Sequence, residues 1–312
     1  MLQITKISFP GLGIGEFKVN SEAFRIGNFS IAWYAIFICL GMIAAVAYVI
    51  FRSKRIGIDS EDVLDIALFT IPIGVIGARL YYVLMEIDNF NSLGEVLNIR
   101  NGGLAIYGGI IAGSITVFCV TRFKKINFLA FADCVVPALI LAQAIGRWGN
   151  FMNAEAFGYE TEIFCRMGLD FGRGFSYYHP TFLYESLWNI IGFIGINIFY
   201  KYKKYDGQIF YMIFGWYGLG RAWIEGLRTD SLYIWNTNLR VSQVLAIVLF
   251  VACTALQIYF AIKRPDKPLY YCENKKKKAV AEGEPEVVEA LETEKSDLES
   301  TEVEDVDSND EQ

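Results

Sequence analysis

Seven apolar runs of about twenty residues constrain this chain more than any other feature. They cover residues 30–51, 63–86, 103–121, 128–146, 181–200, 207–225 and 241–262. Roughly 20 apolar residues let an α-helix cross a hydrocarbon core of about 30 Å. Lipid offers the backbone no water to bond, so a spanning segment must satisfy its own N–H and C=O groups as a helix. The reading is an all-α integral membrane protein with about seven transmembrane helices. No apolar run precedes Phe29, and no small-residue cleavage site follows one, so the first span is expected to insert uncleaved.

Basic residues set the orientation. "FRSKR" follows the first run, "TRFKK" the third and "KYKK" the fifth; Lys263, Arg264, Lys267 and Lys275 to Lys278 follow the seventh. All four clusters fall on one side of a seven-span chain, which places the N-terminus outside and the C-terminus in the cytoplasm. The net charge of −6 hides this basic body, because residues 281–312 hold 14 acids against one lysine and leave +7 for the rest. That acidic segment lacks aromatics and is expected to be a solvated, disordered tail. The predicted organisation is an extracytoplasmic segment 1–29, a seven-helix transmembrane domain 30–265 and a basic then acidic tail 266–312.

Metal chemistry has little support. The chain has one histidine, and its six cysteines show no CxxC spacing. Four of the cysteines lie in apolar runs and read as small buried hydrophobes. No metal or other cofactor is expected, and no nucleic-acid partner.

Polar residues gather at the outer ends of the runs. Tyr34 lies early in the first and Arg79 late in the second. "NGGLAIYGG" (Asn101 to Gly109) opens the third, and "GRWGNFMNAEAFG" (Gly146 to Gly158) ends the fourth. "HPTFLYES" (His179 to Ser186) opens the fifth, and "YGLGRAWIEGLRTD" (Tyr217 to Asp230) closes the sixth. An arginine at a helix centre costs about 2.5–3.5 kcal/mol on insertion scales, less near the interface. Arg221 and Glu225 are four apart on one helical face and partly neutralise each other. Lipid anchoring accounts poorly for Arg79, Arg147, Arg221 and Arg228 at one depth. Several guanidiniums facing one cavity suit a multivalent anion, most simply a lipid phosphate, which the planar fork binds in bidentate fashion. The glycines around Arg147 are expected to let the chain turn at the membrane surface. Gly102-Gly103 and Gly109-x-x-x-Gly113 either permit close helix packing or open space for a headgroup.

These segments resemble, in order and spacing, the signatures of bacterial phosphatidylglycerol–prolipoprotein diacylglyceryl transferases. "AWYAIFICLG" and "NGGLAIYGG" fit the first and third spans of that family, and the likeness covers roughly residues 28–262. The resemblance implies transfer of the diacylglyceryl group of phosphatidylglycerol to the lipobox cysteine of a preprolipoprotein. A thioether forms and glycerol phosphate leaves. The implied partners are phosphatidylglycerol, preprolipoprotein lipobox segments and membrane lipids, in the bacterial cytoplasmic membrane, with the site toward the outer leaflet. By motif position, Arg147, Asn150, Glu155 and Gly158 fall on functional positions, Tyr217, Arg221 and Glu225 match the sixth span, and Tyr34 the first. One departure stands out: many family members carry histidine before the paired glycines of the third span, where this chain has Tyr107.

A working assignment follows. Arg147 and Arg221 take the phosphate, and Asn150 orients it. Glu225 holds Arg221; Glu155 positions Arg147 or accepts a proton. Tyr107 or His179 assists removal of the thiol proton. Asn153, Gly158, Tyr34, Tyr217, Arg79, Gly108 and Gly109 are read as substrate-binding positions. The alternative is an outward-facing transporter of anionic lipids or organic anions, which would also need polar groups leading to the cytoplasmic leaflet.

Overall fold

A computed structural model describes residues 4–27, 29–90, 92–98, 102–172, 174–229, 233, 237, 239–263 and 269. The predicted acidic tail, Asn101, Asp230, and the basic residues from Arg264 onward lie outside the described residues. Among the described residues, seven α-helices of 17 residues or more meet the seven apolar runs: α1 (Trp33–Ser53), α2 (Ser60–Met85), α4 (Ile106–Phe123), α5 (Phe128–Met152), α6 (Thr181–Phe199), α7 (Gln208–Ile224) and α8 (Val241–Lys263). A five-residue helix, α3 (Leu93–Leu97), lies between α2 and α4. Six of the seven are long and apolar enough to cross a membrane; α7, with 17 residues, is the one that falls short.

The sequence reading missed six short strands among the described residues. β1 (Ile4–Phe9) pairs antiparallel with β2 (Ile14–Asn20) and with β5 (Met167–Asp170), which pairs with β6 (Phe175–Tyr178), giving the order β2-β1-β5-β6. β3 (Glu22–Ile26) and β4 (Phe29–Ala32) form a separate hairpin that leads into α1. Strands of four to seven residues carry little periodicity, and the pairing of β1 with β5 joins positions some 160 residues apart. The inward side chains Ile7, Phe9, Val19, Met167 and Leu169 form one core with Ala154 and Phe182. Phe151 at the end of α5 joins it, its ring centroid 4.8 Å from that of Phe182 at the start of α6. The sheet therefore clasps the ends of these two helices together.

The described residues fall into two compact units: 4–50 with 131–263, and 51–130. In the first, small residues set the helix spacing. Gly41 meets the backbone of Ala142, Gly146 meets Ile38, and Gly149 sits under the ring of Tyr34. This corrects one expectation. Gly146 and Gly149 do not turn the chain; α5 stays helical to Met152 and presents them to α1. The turn starts at Asn153, and Ala154 and Ala156 carry it with φ of 50° and 56°. Of the cysteines in apolar runs, Cys134 and Cys253 are buried as expected, while Cys39 and Cys119 are exposed on helix surfaces.

A reciprocal tryptophan pair sets α6 against α7. The rings of Trp188 and Trp216 stack 4.1 Å apart, and each indole N–H donates to the other's carbonyl at 3.0 Å. Gly220 and Gly192 make room: a Cβ at Gly220 would lie 2.1 Å from Trp188, and one at Gly192 2.4 Å from Trp216. At the opposite end of this unit, fully buried Asp133 accepts from the N–H groups of Gly207 and Phe210 and pairs with Lys203 at 2.8 Å, tying the start of α5 to the start of α7.

In the second unit, α2 and α4 pack through glycine. A Cβ on Gly108 would lie 2.3 Å from the Gly77 carbonyl oxygen and 2.4 Å from Tyr81 Cβ, and one on Gly109 3.4 Å from the Gly74 oxygen. Both glycines thus act as close-packing residues between these helices. Overpacking a tight contact typically costs about 1–3 kcal/mol. Gly108→Ala should therefore lower the thermal midpoint of the purified protein in detergent by several degrees, followed by tryptophan fluorescence; an unchanged midpoint would contradict this contact.

Candidate active site

The site is built on one acid that the sequence reading did not single out. Glu185 lies in the first turn and a half of α6 and is 5% exposed. Its Oε2 pairs with Arg147 Nη2 from α5. Its Oε1 accepts from Arg221 Nη1 of α7 at 3.0 Å and from Arg228 Nη1 at 3.2 Å. Three guanidiniums from three chain segments meet on one carboxylate. Arg221 also reaches Glu225 Oε2 at 2.7 Å through Nη2, one helical turn on, as expected for that pair. Arg240, just before α8, donates to the Glu225 carbonyl and, at 3.0 Å, to the Tyr159 hydroxyl.

The network extends along the end of α5. Asn150 Oδ1 accepts from Arg147 Nη1 at 3.2 Å, and Asn150 Nδ2 donates to Glu155 Oε1 at 2.9 Å. Asn153 Nδ2 donates to the same carboxylate oxygen at 3.2 Å. Glu155 is exposed, so the chain of contacts runs from an open rim to a buried centre. Glu155 reaches Arg147 through Asn150 rather than directly. That geometry leaves Arg147 and Arg221, both about one-fifth exposed, as the cations at the edge of the buried cluster.

Gly158 draws three segments together, residues 146–158, 179–186 and 217–229. Its N–H donates to the His179 carbonyl at 2.9 Å, and the next N–H, of Tyr159, donates to the Leu227 carbonyl at 2.9 Å. A Cβ there would stand 2.7 Å from the Leu227 oxygen and 2.8 Å from His179 Cβ. Thr181 adds a hydroxyl bond to the Ala156 carbonyl, and Thr229 one to the Phe157 carbonyl at 3.3 Å. His179 Nδ1 lies 3.3 Å from the Tyr184 hydroxyl, which in turn lies 3.4 Å from Cys165 Sγ. Partial burial lowers the His179 pKa below its ordinary 6.5 and favours the neutral ring. Tyr34 packs on Gly149, two residues beyond Arg147, and Tyr217 lies one turn before Arg221 on α7.

The remaining candidates belong to the second unit. Arg79 donates to five backbone carbonyls: Val96, Gly102, Gly103, Glu95 and Asn98, at 2.7–3.0 Å. Within that unit it binds together the short helix α3 and the loop that leads into α4. Tyr107 is exposed, with its ring 6.5 Å from that of Tyr81. Among the described residues, no group of three His, Cys, Asp or Glu side chains is placed to hold a metal ion.

Sequence reasoning missed Glu185, Arg240 and the part Arg228 plays. Glu185 carried a usable signal, since an acid inside a spanning segment is functional by default and needs a named partner. Its partners lie 36 to 43 residues away in sequence, or 38 before it, so no local spacing revealed them.

Apolar helices around a buried arginine–carboxylate cluster define a multi-pass helical membrane protein with an anion-suited site. The family model for prolipoprotein diacylglyceryl transferase matches residues 21–259. Relatives named phosphatidylglycerol–prolipoprotein diacylglyceryl transferase include those of Listeria innocua, 42% identical over 85% of this chain and 97% of the relative, and Enterococcus faecalis, 42% identical over 84% and 97%. One from Clostridium perfringens, whose name carries the numeral 1, is 44% identical over 74% of this chain and 90% of its own. The chain belongs to the prolipoprotein diacylglyceryl transferase family.

Gly158→Ala tests the crossing point. The added methyl must displace backbone, so the variant should lose most transferase activity and several degrees of thermal midpoint together. Full activity would show that the three segments do not need this contact.

Proposed function

We propose that Arg147 and Arg221 hold the phosphate of phosphatidylglycerol while the sulfur of a prolipoprotein cysteine attacks the glyceryl carbon beside it. The chain is a transferase that moves the diacylglyceryl group from phosphatidylglycerol to prolipoprotein, the first step of lipoprotein maturation. The observation that carries the site reading is the meeting of three guanidiniums on the single carboxylate of Glu185.

The chemistry explains why arginines are needed. A phosphodiester carries one negative charge. As the carbon–oxygen bond breaks, the departing glycerol phosphate becomes a monoester and its charge rises toward −2. Donors aimed at developing charge are usually the largest single contribution to catalysis. The new bond joins sulfur to carbon, and the thiol proton must go to a base. A free thiol has a pKa of about 8.5, and a nearby positive field raises its thiolate fraction. Asn150 aligns Arg147, Glu225 aligns Arg221, and Glu155 braces Asn150. Tyr34, Asn153, Gly158 and Tyr217 shape or support the substrate path, and Arg79, Gly108 and Gly109 order the helix pair and loop of their own unit. No covalent enzyme intermediate is required.

The topology in this reading has seven spans. α7 is about 25 Å long at 1.5 Å per residue, and its 3₁₀ continuation Glu225–Leu227 brings it close to a hydrocarbon core of about 30 Å. The basic clusters after α1, α4 and α6 put those ends in the cytoplasm. The N-terminal segment 1–29 then lies outside, the catalytic domain spans 30–265, and the tail 266–312 is cytoplasmic. The active site faces the outer leaflet of the bacterial cytoplasmic membrane.

Purified protein mixed with phosphatidylglycerol and a lipobox peptide should yield a peptide heavier by one diacylglyceryl group, and a peptide with serine for cysteine should not react. Arg147→Lys keeps the charge but loses the fork. Its turnover should fall on the order of 100-fold with little loss of folded protein; normal turnover would remove Arg147 from this role.

The base is settled by a pair of variants. If His179 takes the proton, activity is present while the ring is neutral and is lost as pH falls through its lowered pKa, below 6.5. His179→Gln should then erase that acid limb, and Tyr107→Phe should leave it intact. A large loss in Tyr107→Phe with the limb retained in His179→Gln would assign the proton to Tyr107.

A further inference from the structure

The donors that a phosphate needs are already engaged by the protein. Arg147 Nη2 and Arg221 Nη1 both point at Glu185, and Arg228 shares its Oε1. Glu185 is held in place. Its neighbour Ser186 donates to the Ala144 carbonyl at 3.0 Å, which fixes α6 on α5, and Trp188, three residues on, is locked to Trp216 of α7. The helix cannot withdraw from the arginines, so any exchange must be between anions at a fixed place.

We propose that Glu185 is an exchangeable internal anion. The substrate phosphate displaces its carboxylate from Arg147 and Arg221, and the carboxylate reclaims both forks as glycerol phosphate departs. This rests on the reading that these two arginines bind phosphate.

The physical need is on the product side. Two guanidiniums that stabilise a developing dianion also bind the dianionic product well, and turnover then stalls on release. A tethered carboxylate at high effective concentration competes with the product for the same donors and speeds its exit. It also keeps the arginines extended toward one point, which lowers the cost of ordering them around substrate. Arg228, which meets Glu185 without being assigned to the phosphate, keeps the displaced carboxylate partnered. A buried carboxylate stripped of every partner would be strongly unfavourable.

The experiment uses the full-length protein in lipid nanodiscs, with Glu185→Gln and Glu185→Asp. It reads the KM for phosphatidylglycerol, kcat, and the inhibition constant of added sn-glycerol 1-phosphate. A residue with a merely structural role would weaken all three together. The exchange predicts a split: in Glu185→Gln the inhibition constant and KM tighten on the order of tenfold, about 1.4 kcal/mol, while kcat falls because release slows. Pre-steady-state traces should show a burst of lipidated peptide that the wild type lacks. An inhibition constant that is unchanged or weaker in a folded Glu185→Gln protein overturns the proposal. If that variant does not fold, Glu185→Asp decides by the same sign, since the shorter carboxylate competes less well. Wild-type inhibition that is insensitive to Arg147→Lys and Arg221→Lys alike would instead overturn the phosphate-binding reading, and the exchange with it.

Discussion

A carboxylate shared by three guanidiniums is the interaction on which the rest of this structure depends. Glu185 brings α5, α6 and the end of α7 to a single point. Charges taken from water into a low-dielectric interior lose several kcal/mol of solvation each, and only close partners offset that loss. The packing around the cluster holds those partners close. The Trp188–Trp216 pair fixes α6 on α7, the sheet core seats Phe182 against Phe151, and glycines let α1 lie on α5. Each contact acts on the helix ends that carry the charged groups, so the apolar packing positions the polar site.

On the proposed reading, the site presents cations to a lipid headgroup at intermediate depth. Fully solvated arginines would be screened, and fully buried ones would be neutralised or excluded. Arg147 and Arg221 lie between these limits, each in contact with an acid and each about one-fifth exposed. Asn150 and Glu155 continue the network to the surface and give Arg147 a second fixed contact. In the proposed exchange, a phosphate replaces a carboxylate on these forks without a change in fold, so the same contacts that preorganise the site are the ones the substrate takes over.

How much of this was legible in the sequence follows from the range of each interaction. The seven apolar runs coincide with seven helices among the described residues, six of them long and apolar enough to cross a membrane, because hydrophobic length is a property recorded locally in each run. The pairing of Arg221 with Glu225 was legible for the same reason, being one helical turn apart. Gly158 was legible through the resemblance, but its reason was not: the close approach of Leu227 and His179 exists only in three dimensions. Arg79 was grouped with the other arginines by depth, yet in its own unit it serves five backbone carbonyls, because a loop that crowds oxygen atoms needs a donor. The N-terminal strands escaped notice because they are only four to seven residues long, and the pairing that ties them to the helix ends, β1 with β5, joins positions some 160 residues apart.

Sequence by itself determined that this chain is a helical membrane protein with arginines and acids near the ends of its spans, and the family to which it belongs; hydrophobic length and motif order are properties of the string. Tertiary structure alone decided which acid the arginines share, that Gly146 and Gly149 are packing surfaces inside a helix, and that a small sheet clasps α5 to α6. Those outcomes rest on contacts between residues tens to more than a hundred positions apart, and the energy of such a contact has no expression in local composition or spacing.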